Sequence, residues 1–389
     1  MELDQKLNRL PLSRKNPEAL ERLFGTNKIS PFWMADMSFQ VAPPIQQALI
    51  ERVSGSGLTY EYKPESFYKA QEKWYQQQYG IPLKRSQVLN SPSITTSMAL
   101  LLENFSAPQA GVIIQPPVFQ EFKEVIRKTG RKLVKNPLQL VDQRYTMDLP
   151  QLEEVASKAE NQVMIISNPH NPVGRAWTRD ELKAVVSICR KHQVLLISDE
   201  VHKDIVIFNH QFTSVLEFAE DYEDIIVLTS EAKTFNLAGI SDSMAIVPSK
   251  SKYKALAVSL KKYNLGRTNP LLRVALETAY TQGQDWLKAL IQQTEDNVKT
   301  IEKVLKGSAI RLIMPEATYQ VWLDFRSLQT DAKVLFEKIA RESGVGLSAG
   351  YWFGREGAGF MRMNIATSKD DIVTALKSVL ETTRQTNRM

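Results

Sequence analysis

Cysteine and histidine are scarce in this chain of 389 residues, which has one cysteine and four histidines. The single Cys189 cannot form an internal disulfide bond, which suits a reducing cytoplasm. We expect it to be a small buried hydrophobic residue. So few thiolate and imidazole ligands, with no HExxH or CxxC motif, argue against a metal site.

Long apolar runs and basic runs are also missing. No stretch reaches the roughly 18 apolar residues that a membrane span requires, and the N-terminus lacks the apolar core of a signal peptide. The net charge of +6 is spread along the chain rather than gathered in a nucleic-acid-binding arm. We therefore expect a cytoplasmic protein that binds acidic small molecules but neither membranes nor nucleic acid.

Glycine-rich phosphate loops are absent too, since neither GxGxxG nor GxxxxGK[ST] occurs. This weighs against dinucleotide-binding and P-loop proteins. In the first two thirds of the chain, short apolar runs alternate with helical segments, which is typical of a mostly parallel sheet covered on both faces. The predicted strands are Val112–Gln115, Val163–Ser167, Val194–Ser198, Ile225–Leu228 and Met244–Val247.

In about the last hundred residues the predicted strands and helices follow a different order, which indicates a smaller α+β domain. We predict an N-terminal segment over residues 1–44, a large domain over 45–285 and a small domain over 286–389. A long helix starting near Trp286 would connect the two domains.

Lys233 follows the apolar run Ile225–Leu228, at the end of a predicted buried strand. Open α/β sheets bind ligands at this edge, and a lysine there can form a Schiff base with an aldehyde cofactor. Alone the signal is weak, because most lysines lie in solvent-exposed loops.

Two other strand ends carry polar residues that suit such a cofactor. A turn with two Asn-Pro steps presents Asn171 as a hydrogen-bond donor, and Asp199 closes a buried strand. Each has an ordinary alternative, a rigid turn for Asn171 and a helix cap or solvated carboxylate for Asp199. Together with Lys233 they match what pyridoxal phosphate (PLP) requires: a lysine for the aldehyde, a carboxylate for the pyridine nitrogen and a donor to the phenolic oxygen.

A hydroxyl-rich turn over residues 90–97 leads into an apolar helix. The free amides at a helix start suit an anion such as phosphate. An ordinary serine cap is the alternative interpretation.

Five motifs in order resemble those of the cystathionine β-lyase branch of the fold-type I PLP-dependent enzymes, in the class I/II aminotransferase superfamily. The motifs are FWMADM at 32–37, NPHNP at 168–172, DEVH at 199–202, KTFNLAG at 233–239, and the stretch from Trp352 to Asn364. The resemblance extends from about residue 30 to the C-terminus. It implies an α/β fold with a mostly parallel seven-stranded sheet, a smaller α+β domain, and a homodimer with shared active sites.

The resemblance also implies a role for each matching residue. Lys233 would hold PLP and move protons, while Ala35 and Arg362 would bind the carboxylate of an amino-acid substrate. The other cofactor-binding positions would be Ile94, Thr95 and Ser230 at the phosphate, Tyr60 reaching the phosphate from the neighbouring subunit, Phe119 stacked on the ring, Asn171 at the phenolic oxygen, Asp199 at the pyridinium, and His202 where aminotransferases usually have tyrosine.

Several positions depart from related patterns. His202 replaces the usual aminotransferase tyrosine, and Ser241 replaces an arginine that usually binds the cofactor phosphate; both departures favour the lyase branch. Phe119 replaces the tyrosine usual in that branch, so the ring can stack but offers no hydroxyl. Thr95 and Ala232 also differ from the branch, so we expect a differently arranged phosphate site.

The predicted reaction is β-elimination from an S-substituted L-cysteine, which yields a thiol, pyruvate and ammonia. Lys233 would remove the Cα proton, and a thiolate (thiol pKa about 8.5) would leave far more readily than an alkoxide. Two alternatives stay open: an aminotransferase that uses the same lysine, and a PLP-fold regulatory protein. The motifs do not determine which S-substituted cysteine is the substrate.

Overall fold

The structure is a computed structural model that describes residue 3 and residues 13–55, 57–240, 242–266 and 269–386. Its helices are α1 Pro17–Phe24, α2 Pro43–Gly55, α3 Glu65–Tyr79, α4 Ile94–Phe105, α5 Gln120–Lys128, α6 Leu149–Ala156, α7 Arg179–His192, α8 Lys250–Lys262, α9 Pro270–Gln282, α10 Gln284–Leu305, α11 Ala332–Lys338 and α12 Lys369–Thr386. Its strands are β1 Ser30–Pro31, β2 Val88–Ser91, β3 Gly111–Ile114, β4 Lys132–Lys135, β5 Gln139–Val141, β6 Arg144–Thr146, β7 Asn161–Ser167, β8 Leu195–Asp199, β9 Ile225–Thr229, β10 Ser243–Ile246, β11 Arg311–Ile313, β12 Gln320–Asp324, β13 Val345–Gly346, β14 Ser348–Ala349 and β15 Phe360–Asn364.

A seven-stranded sheet in the order β2-β10-β9-β8-β7-β3-β4 forms the centre of the molecule. Its strands run parallel except β10, which is antiparallel to both β9 and β2. The prediction of a mostly parallel sheet is therefore confirmed. The individual apolar runs did not predict the two outermost strands, β2 and β4. These edge strands are only partly buried, so their sequences VLNS and KLVK are not continuously apolar.

A second, four-stranded sheet in the order β11-β12-β15-β14 is antiparallel throughout. The N-terminal segment lies beside it, because β1 pairs in parallel with β13. Helix α10 begins at Gln284, so the boundary predicted at residue 286 falls within its first turn. We propose the division into residues 1–44, 45–285 and 286–389 on this arrangement of the two sheets.

Apolar side chains on both faces of the large sheet form the core. Cys189 lies in α7 within this core and is fully buried, as expected. Burial raises the pKa of its thiol to about 12. A thiol in this state is a packing group rather than a nucleophile.

Candidate active site

Three neighbouring parallel strands bring the predicted side chains to one edge of the large sheet. Strands β7, β8 and β9 lie side by side, with Ser167 opposite Asp199 and Asp199 opposite Leu228. Because the carboxyl ends of parallel strands meet at the same edge, the segments that carry Asn171, Asp199 and Lys233 start at adjacent positions.

The Lys233 side chain reaches from the turn after β9 to the N-terminal segment. Its Nζ donates a hydrogen bond to the backbone oxygen of Ala35 at 2.8 Å, and Tyr319 Oη donates to the same oxygen at 3.2 Å. Burial lowers the pKa of Lys233 to about 8, and the charge of Arg362 adds to this effect. More of its amine is therefore neutral near pH 8 than in an exposed lysine, whose pKa is about 10.4.

Asp199 closes β8 with its carboxyl group in the interior, and only 5% of the residue is exposed. The Val201 amide donates a hydrogen bond to its Oδ1 at 3.2 Å. Burial raises the pKa of Asp199 to about 7, which this bond and the charge of Lys233 only partly offset. A cationic group beside Asp199 would lower this pKa and stabilise the ionised carboxylate, because an unpaired buried carboxylate is unfavourable.

Arg362 in β15 reaches across to the turn after β7. Its Nη1 donates to Oδ1 of Asn171 at 2.9 Å, and its Nη2 donates to the backbone oxygen of Trp33 at 2.8 Å. Its Nε has no hydrogen-bond partner among the described residues. Burial lowers the pKa of Arg362 to about 10, so the guanidinium stays charged at neutral pH. The Oδ1 of Asn171 accepts the hydrogen bond from Arg362, and its Nδ2 is the donor that can bind a ligand.

His202 is a buried imidazole next to these groups. Its ring meets the ring of Tyr319 edge to face, at a centroid distance of 6.0 Å. Its Nδ1 has no hydrogen-bond partner in the described part of the chain. Burial lowers the pKa of His202 to about 3, and the charges of Lys233 and Arg362 add to the effect. The ring is therefore neutral at physiological pH and can offer a hydrogen bond without adding charge.

The predicted phosphate turn is the start of helix α4. Ser93 is its N-cap, and its Oγ accepts a hydrogen bond from the Thr96 amide at 3.0 Å. Ile94 and Thr95 are the first two residues of the helix, so their amides have no acceptor within it. Both the serine cap and the anion-binding interpretation therefore fit this geometry.

The hydroxyl of Ser230 is engaged within its own turn. It donates to the backbone oxygen of Asp242 at 2.7 Å and accepts from the Ala232 amide at 3.2 Å. Donation from Ser230 to a phosphate therefore requires the bond to Asp242 to open. Ser241, the residue that replaces the usual arginine, lies outside the described residues.

Phe119 and Tyr60 are the two remaining positions predicted to bind the cofactor. Phe119 immediately precedes α5 and contacts Phe122 edge to face at 6.0 Å. The adjacent Val118 amide donates to the backbone oxygen of Phe353 at 3.0 Å, and the Phe353 ring lies 4.8 Å from the Arg362 guanidinium. Tyr60 lies on the loop between α2 and α3 with 93% of its surface exposed. Its contact with a phosphate in a neighbouring subunit remains a prediction.

Sequence reasoning missed several residues that shape the site. Trp33 and Ser348 accept hydrogen bonds from the arginine of β15. Lys15 forms an ion pair with Asp36, and Tyr319 bonds the carbonyl that holds the lysine. Trp33 and Asp36 belong to the FWMADM motif, which could have indicated them. Lys15, Ser348 and Tyr319 come from distant segments, and no local pattern marks them.

The described residues contain no group of three or more histidine, cysteine, aspartate or glutamate side chains that could hold a metal ion. Within the same part of the chain, no helix combines the length and the apolar character needed to cross a membrane.

Comparisons with known proteins agree with this architecture. The model of the aminotransferase class I and II family matches residues 34–379. Cystathionine β-lyase PatB of Bacillus subtilis (strain 168) is 31% identical over 382 residues, which cover 97% of this chain and 99% of that protein.

Solved structures of related proteins have the same fold. A PLP-bound putative aminotransferase from Clostridium difficile 630 has a TM-score of 0.95 and 30% identity, covering 98% of this chain and 99% of its own. Cystalysin from Treponema denticola, whose structure contains pyridoxal 5′-phosphate, has a TM-score of 0.95 and 27% identity, covering 99% of each chain. The chain therefore belongs to the aminotransferase class I and II family and, within it, to the cystathionine β-lyase branch that the motifs predicted.

Proposed function

We propose that this protein is a PLP-dependent carbon–sulfur β-lyase, which cleaves S-substituted L-cysteines to a thiol, pyruvate and ammonia. The observation that carries the proposal is Lys233, a partly buried lysine with a lowered pKa at the strand edge that also presents Asp199 and Asn171. The names of its relatives, cystathionine β-lyase and cystalysin, support the same reaction class.

The residues of the site fit PLP. Asp199 is a carboxyl whose pKa burial raises to about 7, and a protonated pyridine ring beside it would stabilise the ionised form. Arg362 Nε and His202 Nδ1 are buried polar atoms without hydrogen-bond partners among the described residues. A site prepared for a polar ligand accounts for atoms that would otherwise be left unsatisfied.

The binding roles follow from the chemistry of each side chain. Lys233 would bond to the cofactor aldehyde, Asp199 would pair with the ring nitrogen, and Asn171 would donate to the phenolic oxygen through Nδ2. The remaining positions of this proposal are His202 beside the ring, Phe119 stacked on it, the Ile94 and Thr95 amides and Ser230 at the phosphate, and Tyr60 from a partner subunit.

When bound, PLP supplies an aldehyde that bonds an amine and a protonated ring that accepts the electron pair of a breaking bond. Lys233 would take the Cα proton of the substrate as a neutral amine, which its pKa of about 8 permits. The neighbouring Ala35 carbonyl, which already accepts a hydrogen bond from Nζ, would hold the resulting ammonium in place.

Arg362 would bind the α-carboxylate of the substrate and set its orientation. A guanidinium donates two parallel hydrogen bonds to a carboxylate, and burial strengthens that interaction. Loss of the Cα proton would be followed by breakage of the Cβ–S bond, and the thiolate, with a thiol pKa of about 8.5, would leave without protonation. This leaving-group preference favours cleavage of C–S bonds over C–O bonds.

A homodimer with shared sites in the cytoplasm is part of the same proposal. Around Tyr60, four other apolar side chains on α2 and the following loop are more than half exposed: Ile50, Val53, Leu58 and Tyr62. Exposed apolar patches of this kind are typical of interaction surfaces. A partner subunit on this surface would bring its own Tyr60 loop towards the cofactor phosphate.

The test is a pyruvate assay on purified protein with added PLP and either L-cystathionine or S-methyl-L-cysteine. Thiol and pyruvate should form in equal amounts with the wild-type protein and not with Lys233→Ala. The matched control is Lys252→Met, which removes a partly buried lysine far from the site and should leave the reaction unchanged.

Transamination is the alternative outcome of the same assay. The two reactions would share removal of the Cα proton by Lys233. They would differ in the next step: the lyase releases the thiolate from Cβ, whereas an aminotransferase returns a proton and keeps the Cβ–S bond. Formation of a new amino acid from an added 2-oxo acid, with no pyruvate from S-substituted cysteines, would contradict the lyase and establish an aminotransferase.

A further inference from the structure

A buried ion network lies behind the turn that carries Lys233. The ammonium of Lys203 lies 3.5 Å from Oδ2 of Asp204 and 3.5 Å from Oε1 of Glu231, and each of these side chains is at most 4% exposed. Lys203 also donates a hydrogen bond to Oγ1 of Thr229 at 2.9 Å. Burial alone would favour a neutral lysine, but the surrounding carboxylates raise the pKa of Lys203 above its ordinary value, so it stays charged.

The network connects two turns that both belong to the proposed site. Lys203 and Asp204 lie in the turn after β8, while Glu231 lies two residues before Lys233 in the turn after β9. Thr234, next to Lys233, donates a hydrogen bond to Oδ2 of Asp204 at 2.5 Å. The Lys203–Glu231 ion pair and the Thr234–Asp204 bond thus cross from one turn to the other on both sides of Lys233.

Helix α3 closes the network off from solvent. The rings of Tyr75 and Tyr79 have their centroids 5.6 and 5.9 Å from Lys203 Nζ, and Tyr79 Oη donates to Oδ1 of Asp204. Burial raises the pKa of both tyrosines, so both stay neutral. Glu231 Oε1 accepts no hydrogen bond from a described residue and lies 3.5 Å from the Lys203 ammonium, while Tyr280 of α9 and the ammonium of Lys63 also face the Glu231 carboxylate.

We propose that Lys203 is a positioning residue, whose ion pair with Glu231 sets the orientation of the Lys233 turn. It acts on the Lys233 turn through Glu231. The inference rests on the proposed function, because it takes Lys233 as the residue that bonds PLP.

A purely structural role is the competing explanation. Buried ion pairs can often be replaced by neutral groups of similar size without loss of stability, whereas removal of one partner leaves an unpaired charge. The comparison of a single variant with a neutralised pair therefore separates the two explanations. Lys203→Met removes the cation alone. Lys203→Met with Glu231→Gln also removes the carboxylate that the first change leaves unpaired, while Asp204 keeps its donors Thr234 and Tyr79.

Each protein is prepared without cofactor and measured in two ways. Thermal unfolding of the cofactor-free protein reports stability. Titration with PLP reports the affinity and the pH midpoint of the visible absorbance that depends on Lys233, with Lys233→Ala as the baseline. Lys252→Met is the matched control, since its ion pair with Asp224 lies at the opposite end of β9.

Lys203→Met should lower the unfolding temperature, and the double variant should recover most of that loss. Both should bind PLP roughly tenfold more weakly, since misplacement of a reacting group costs one to two orders of magnitude. Both should also move the absorbance midpoint by about one pH unit, a change in the surroundings of Lys233 that stability alone does not produce. Lys252→Met should match the wild type in affinity and midpoint.

A double variant with wild-type affinity and midpoint would overturn the proposal, because the network would then be structural only. If the double variant does not fold, Glu231→Gln replaces it: this change removes the carboxylate of the ion pair and keeps the size of the side chain. An unchanged midpoint in Glu231→Gln would overturn the proposal equally. A wild-type protein without Lys233-dependent absorbance would instead contradict the proposed function.

Discussion

At the scale of single residues, burial determines the chemistry of this site. Lys233, Asp199 and His202 all have pKa values moved towards their neutral forms, and burial is the largest cause for each. A charged ligand reverses this effect where it brings an opposite charge, as a protonated ring would beside Asp199. The cofactor-free site therefore favours a ligand that places a positive charge beside Asp199.

The lowered pKa of Lys233 predicts when its amine reacts. The neutral amine is the reactive form, and it becomes dominant as pH rises through about 8. The rate at which cofactor-free protein captures PLP should therefore rise with pH and level off near pH 8, as measured by stopped-flow absorbance. A rate that keeps rising to about pH 10.4, the value of an ordinary lysine, would contradict the prediction.

Asp199→Asn should stabilise the cofactor-free protein at high pH. Folding raises the pKa of Asp199 from 3.8 to about 7, so the folded state binds the extra proton between these values. The contribution of this group to stability is complete below pH 3.8 and is lost as pH rises through 7. Asparagine stays neutral, so the variant should gain on the order of 4 kcal/mol at pH 8 and almost nothing at pH 4.

Thermal unfolding at these two pH values measures the effect. The same variant should lose roughly two orders of magnitude in pyruvate formation, because no carboxylate would remain to pair with the cofactor ring. Equal stability changes at both pH values would show that Asp199 does not titrate as proposed.

At the scale of elements, ion pairs join the two sheets next to the site. Arg175 ends the turn that carries Asn171, and its Nε donates to Oε2 of Glu316, just before β12, at 2.9 Å. Its Nη2 also contacts Glu181 in α7 at 2.9 Å. Arg144 holds the other oxygen of Glu316 at 2.9 Å. This cluster connects β7, α7 and β12, and so ties the Asn171 turn to the sheet that carries Arg362.

Arg175→Met should lower the free energy of unfolding by about 3 kcal/mol, because the change leaves Glu316 and Glu181 buried or partly buried without this partner. Urea denaturation measures the loss. The control is Lys158→Met, which removes an exposed pair with Glu154 and should change stability by less than about 0.5 kcal/mol. Similar losses in both variants would contradict a special role for the Arg175 cluster.

At the scale of the whole molecule, the site is assembled from segments far apart in sequence. Ala35 from the N-terminal segment, Lys233 from the large sheet and Tyr319 from the segment before β12 meet at one carbonyl oxygen. Neither sheet alone contains the complete site. Under the proposed function, a second subunit adds Tyr60 to this set.

Mixing two inactive variants tests the shared site. Tyr60→Ala and Lys233→Ala each remove a residue that the proposal assigns to opposite subunits of one site. In a mixed dimer, one site then carries both changes and the other is intact. Random exchange of equal amounts should restore about one quarter of wild-type activity. Strictly additive activity of the two variants, with no gain after exchange, would contradict a shared site.

The motifs of the sequence were enough to predict the family and the fold, and both predictions are confirmed. They also predicted that Asn171, Asp199 and Lys233 lie at one edge of the sheet. This worked because parallel strands have all their carboxyl ends on one side, so order along the chain becomes proximity at an edge. The roles of the individual site residues remain predictions, since they depend on a bound cofactor.

Only the tertiary structure decided what surrounds these residues. No local pattern links Ala35 to Tyr319 or Lys203 to Glu231, because each pair is brought together by strand order and helix packing. The pKa shifts also depend on the tertiary structure, since burial and neighbouring charges exist only after folding. The sequence by itself thus determined which chemical groups are present and along which edge, whereas the packing of distant segments determined their protonation and orientation.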